Sequence, residues 1–155
     1  NGFKNLKGID PCPELINTPI FSGIEEGSFE QNSCDKKTFD VVMTCHTLHH
    51  LKQRRPVYAI EEMASLAREF IVIVEINNTN LPMFVVSALN KGVEANAMYY
   101  NRKHVRNLLK AANTEIIHDR NMLSGYISGD TLLHRFAANI GNRPYNILIA
   151  KTKDN

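Results

Sequence analysis

Cysteine is scarce in this sequence: Cys12, Cys34 and Cys45 are the only three among 155 residues. An odd count with no CxxC spacing does not build a disulfide framework, and it favours reduced thiols in a cytosolic compartment. Long apolar runs are missing too. The longest uncharged apolar segment, Leu81 to Leu89, falls well short of the roughly 20 residues that cross a bilayer, so no membrane span is expected. Nor is there an excess of charge. Eighteen Lys and Arg against sixteen Asp and Glu leave a formal +2, which gives no footing for nucleic acid or an anionic membrane. The cluster Lys52, Arg54 and Arg55 is local and reads as a solvated helix entry. Repeats, low-complexity tracts and a visible secretory signal are absent. The first residue is Asn1, as in a processed or truncated product, and a leader upstream of it stays open.

The remainder is that of one ordinary globular domain, with 43% hydrophobic and 22% charged residues and enough chain to sustain a core. Its organising stretch runs from Thr38 to Leu51. Phe39 to Met43 is an apolar run broken only by Asp40, which predicts a strand buried on both faces. Thr44, Cys45 and His46 follow, and polar groups at the carboxyl end of a strand lie where open α/β sheets bind ligands. Pro56 to Arg68 predicts a helix with an apolar stripe of Val57, Ile60, Ala64 and Ala67. Phe70 to Ile76 is a second buried strand, and the strand-helix-strand unit implies parallel pairing with a right-handed crossover. Glu75 ends that strand near the crevice and is expected to face substrate.

Elsewhere, Leu6 to Ile9 predicts a strand stopped by Asp10, Pro11, Cys12 and Pro13. Pro19 to Ser22 predicts the next strand. Leu81 to Leu89 suits a helix, and a second helix follows Asn101 with Val105, Leu108, Leu109 and Ala112 on one face. Strands are expected at Glu115 to His118 and Tyr145 to Ala150, with a helix at Asp130 to Ile140 between them, ended by Gly141.

Phe39-Asp40-Val41-Val42 followed by Thr47-Leu48-His49-His50-Leu51 resembles the fourth strand and following turn of class I S-adenosylmethionine-dependent methyltransferases. Gly8-Ile9-Asp10 resembles the acid ending that family's second strand, and Phe70 to Glu75 its fifth strand. The resemblance spans roughly the whole chain, loosely after residue 77. It implies an α/β, Rossmann-like methyltransferase sheet, mostly parallel with an antiparallel last strand, in the order 3-2-1-4-5-7-6. It also implies S-adenosyl-L-methionine as cofactor and a small-molecule methyl acceptor, with a substrate-covering segment at 77–100. A homo-oligomer stays open.

By the same resemblance Asp10 accepts hydrogen bonds from the cofactor ribose, an acceptor-only group facing two vicinal donors. Pro11 lies beside it, Glu25 or Glu26 lies near the adenine amino group, and Ile24 gives apolar contact to the base. Thr44 and Cys45 line the methyl end of the pocket. His46 and His50 are the candidate bases, needed only where the acceptor must lose a proton; His49 fills the variable place of the family's pair and His50 the second, whose other role in the family is structural, orienting the turn into the next helix. Tyr99, Tyr100 and His104 are candidate contacts from the cover, with packing as their simpler role.

One family element is missing: the glycine-rich turn after the first strand. The chain begins just before the second strand, and Gly125 to Gly129 reads as an ordinary loop. Without the first strand, the second and fourth expose apolar edges, so an N-terminal segment carrying it is expected in the intact protein. Two other functions stand beside methyl transfer. A metal site would need His46 and His50 on one helical face, and no third ligand has a supporting spacing. A non-catalytic interaction domain of the same fold fits the missing turn.

Overall fold

The computed structural model describes residues 5–12, 23–29, 34–51, 55–89, 100–122 and 145–153. The strand expected at Pro19 to Ser22, the loop at Gly125 to Gly129 and the helix at Asp130 to Ile140 lie outside them. The chain forms two compact units, residues 1–34 and 35–155.

In the first unit, β1 (Gly8–Asp10) and β2 (Ile24–Glu26) pair in parallel, with Gly8 opposite Ile24 and Asp10 opposite Glu26. Glu25 and Glu26 are therefore strand residues, not residues of a loop after a strand. The ladder is closed at both ends by backbone bonds, Gly8 N–H to the Gly23 carbonyl at 2.8 Å and Gly27 N–H to the Asp10 carbonyl at 3.2 Å.

The second unit is built on β3 (Phe39–Cys45), β4 (Ala67–Ile76), β5 (Glu115–Met122) and β6 (Tyr145–Lys151), in the spatial order β3-β4-β6-β5. β3 and β4 are parallel, and β6 runs antiparallel to both β4 and β5. This order and these directions are those expected of strands 4, 5, 7 and 6 in the methyltransferase sheet.

Between β3 and β4 lies α1 (Arg55–Leu66), which buries Pro56, Ala59, Ile60 and Met63. Of the expected stripe, Ile60 and Ala67 are buried, Ala67 as the first residue of β4, while Val57 and Ala64 are half-buried. α2 (Leu81–Leu89) follows β4, and α3 (Arg102–Ala111) precedes β5. The Asn101 side chain caps α3 by accepting the His104 N–H at 2.9 Å. α3 buries Val105, Leu108 and Leu109, while its outer residues Arg102 and Arg106 both pair with Asp119 of β5.

α1 packs on β3 and β4, and α3 on β5 and β6. The sheet is correspondingly one-sided. Ile71, Ile73 and Glu75 of β4, with Asn146, Leu148 and Ala150 of β6, are buried, whereas the alternate residues Val72, Val74, Ile147 and Ile149 are half-buried. On β3, Val41 and Met43 are 45% and 64% exposed, so this strand is not buried on both faces as its composition predicts. Among the described residues β3 pairs only with β4, so it has one strand neighbour where a central strand has two.

Candidate functional site

β3 runs one turn of pleat further than the sequence suggests, through Thr44 and Cys45. The chain then breaks sharply: His46 adopts a left-handed backbone at φ 55°, while its N–H still donates to the Val74 carbonyl at 2.9 Å. For a residue with a Cβ that conformation costs about 1 to 2 kcal/mol, so surrounding contacts must hold it. A single 3-10 turn, Leu48–His50, follows at once.

The turn is held from β4. Glu75 is the only charged residue between Phe70 and Ile76, and its side chain is fully buried. Its Oε1 accepts the Leu48 N–H at 2.7 Å, and its Oε2 lies 2.6 Å from Nδ1 of the equally buried His49. From the other side, the Tyr100 hydroxyl donates to the Leu48 carbonyl at 2.8 Å. Both polar groups of one backbone residue are thus satisfied by side chains distant in sequence. A buried carboxylate is tolerable only with such partners.

Around this anchor stands a cluster of aromatic and imidazole rings. His46 meets Tyr145 edge-on at 4.8 Å between centroids, and His49 lies 6.4 Å from His46, 4.1 Å from His50 and 6.0 Å from Tyr100. Tyr100 in turn contacts His104 at 4.8 Å. Burial, and after it the charge of Glu75, pushes the Cys45 thiol and the Tyr100 hydroxyl upward, so both keep their protons at neutral pH. Burial alone pushes His104 below its usual value.

A row of polar side chains crosses the same face of the sheet. Asn121 is opposite Asn146, and Asn146 is opposite Glu75; directly opposed residues share a face. Asn146 Nδ2 donates to the Ile76 carbonyl at 3.1 Å. Thr44 Oγ1, Asn121 Oδ1 and Asn146 Oδ1 are buried with no hydrogen-bond partner among the described residues. Buried polar atoms are normally satisfied, and these three lie towards the carboxyl end of β3 and β4.

The sequence-derived candidates fall in both units. Asp10 is half-buried, and its Oδ1 accepts the Cys12 N–H at 2.8 Å, a local turn that aims the carboxylate. Pro11 is exposed and Ile24 half-buried; Glu25 is exposed and pairs with Lys7 at 3.0 Å. In the second unit Thr44 is buried, Cys45 and His46 are half-buried, and His50 is exposed. His46 lies outside the 3-10 turn, so the helical spacing on which a two-histidine metal site depends is not formed. Tyr99 lies outside the described residues. Asn121, Tyr145 and Asn146 went unnoticed in the sequence, because only the pairing of β6 between β4 and β5 carries them to this end of the sheet. The one available signal for the Glu75–His49 pair was a lone acid in an otherwise apolar strand.

No protein-family model and no curated protein matches this sequence. Solved structures do match. A SAM-dependent methyltransferase from Archaeoglobus fulgidus is 17% identical with a TM-score of 0.65, covering 93% of this chain and 74% of that one. One from Methanosarcina mazei is 15% identical with a TM-score of 0.61, covering 94% and 81%. Magnesium protoporphyrin IX methyltransferase from Synechocystis, solved with bound SAH, is 17% identical with a TM-score of 0.54, covering 84% and 51%. At these identities the likeness establishes the fold, which is that of class I SAM-dependent methyltransferases.

Proposed function

We propose that this chain serves methyl transfer from S-adenosyl-L-methionine to oxygen or carbon of a small-molecule acceptor. The observation that carries the proposal is the histidine turn, preformed over a buried carboxylate at the carboxyl ends of two parallel strands. The cofactor, when bound, supplies an activated methyl group. The chain's own residues have the positioning to do. Asp10 suits the ribose hydroxyls, with Pro11 and Ile24 as apolar neighbours and Glu25 for the adenine amino group. Thr44, whose buried hydroxyl has no partner among the described residues, and the protonated Cys45 suit the methyl end. His46 and His50 are the imidazoles available to a proton-bearing acceptor. The cysteine usage supports a cytosolic setting; no helix among the described residues is long and apolar enough to cross a membrane.

Calorimetry of the full-length gene product with S-adenosylhomocysteine tests the proposal. Heat of binding that Asp10→Ala weakens is the expected result, and no heat at all removes it. The second function, a non-catalytic interaction domain, draws on the exposed Val41 and Met43 of β3. It is the one left standing if no heat is seen.

A further inference from the structure

We infer that Glu75 and His49 form the proton-accepting pair of this site, with Glu75 as the positioning residue and Nε2 of His49 as the atom that takes the proton. The inference rests on the methyl-transfer proposal for its purpose but on geometry for its substance. Both Glu75 oxygens are engaged, one by the Leu48 N–H and one at 2.6 Å from His49 Nδ1. Two accepting oxygens assign the shared proton to Nδ1, which leaves Nε2 as the ring's basic position.

Charge then favours uptake. With a neutral imidazole the pair holds one negative charge, at side chains 0% and 1% exposed. One proton on Nε2 converts it to an imidazolium and carboxylate with no net charge, and a buried site resists net charge far more than a paired one. Among the described residues, the other titratable groups around the pair do not compete. Cys45 at the end of β3 and Tyr100 before α3 hold their protons, and His104 of α3 is biased towards neutral. Tyr145 of β6 lies against His46.

The flanking histidines give the pair two outlets. His46, half-buried at the end of β3, is the crevice side; His50, exposed with its ring 4.1 Å from that of His49, is the solvent side. When a hydroxyl acceptor loses its proton, the O–H bond breaks and its electron pair stays on oxygen. The proton passes by way of His46 to an N–H bond on Nε2, and the pair goes from one negative charge to none. The acceptor class this serves is a hydroxyl or a carbon acid.

Nitrogen NMR of the full chain, labelled at histidine and titrated from pH 5 to 9, tests the pair, with His49→Asn assigning the signal while keeping a donor to Glu75. The expected result is a Nδ1 that stays protonated and a Nε2 that gains one proton within this range. Glu75→Gln should lower that midpoint by about one pH unit, a tenfold loss of proton affinity. A Nε2 that never titrates, or a midpoint unmoved in Glu75→Gln, overturns the inference. Should Glu75→Gln fail to fold, the wild-type titration decides alone. Calorimetry with S-adenosylhomocysteine on the same sample separates the two claims. Heat without titration ends the pair, and titration without heat ends the methyl-transfer proposal and leaves the pair.

Discussion

Asp10 ends one parallel strand and His49 follows another, yet they are held in opposite ways. The Asp10 carboxylate is tied to a backbone N–H two residues away. The turn at His49 is tied to Glu75 and Tyr100, separated from it by 26 and 52 residues in their respective bonds. Local ties survive with little tertiary structure but fix little else. Distant ties exist only in the folded sheet, and they make the turn part of the stability of the second unit. One loop should therefore respond to ligand, the other to unfolding.

The sharpest way to break this contrast is Glu75→Ala. It leaves the Leu48 N–H and His49 Nδ1 buried without an acceptor and should cost about 3 kcal/mol in urea unfolding; a loss under about 1 kcal/mol would make the turn as local as the Asp10 loop. Asp10→Ala should do the converse. Its effect on stability should stay within about 0.5 kcal/mol, while calorimetry shows affinity for S-adenosylhomocysteine weaker by about 2 kcal/mol, as expected for two lost hydrogen bonds. Unchanged affinity would take Asp10 out of the site.

Tyr100→Phe sharpens the comparison further, since it removes only the bond to the Leu48 carbonyl. A loss of about 1 kcal/mol is expected by thermal or urea unfolding. The smallest effect belongs to His104, which touches Tyr100. Its folded value lies below the ordinary 6.5, because burial disfavours the charged ring. The unfolded chain then binds the proton first as pH falls, so there is no penalty above about pH 6.5 and a growing one below it. Stability profiles of His104→Gln and wild type should coincide at pH 8 and separate below pH 6.5, with wild type losing more.

Much of the frame was legible from residue patterns. Leu81–Leu89 was expected at the bounds observed, and Val105, Leu108 and Leu109 were expected on the buried face of α3. The parallel pair β3 and β4, and the antiparallel pair β5 and β6, likewise follow expectation. The helix between β3 and β4 was placed well but its buried face was not, because Ala59 and Met63 face the sheet where Val57 and Ala64 were expected to. A stripe read from one helix has several solutions a residue apart, and only the partner surface chooses among them.

The site was legible in outline, but not which of its side chains are buried. His46, His49 and His50 were read as one polar turn, with His46 and His50 the chemically interesting pair. The coordinates instead bury His49 against Glu75 and leave His50 exposed. Four consecutive residues from Thr47 to His50 give no periodicity from which to tell inside from outside, since a left-handed residue and a 3-10 turn follow neither a strand's nor a helix's repeat.

By itself the sequence determined which segments become strands and helices, and it placed a histidine turn at the end of an apolar run, because periodicity and residue chemistry act over a few neighbours. The tertiary structure alone decided that Glu75 would lie beneath that turn, and that the side-chain oxygens of Asn121, Asn146 and Thr44 would be buried on its side of the sheet. Such bonds join residues many positions apart, and their partners are chosen by strand order and register, which no local pattern encodes.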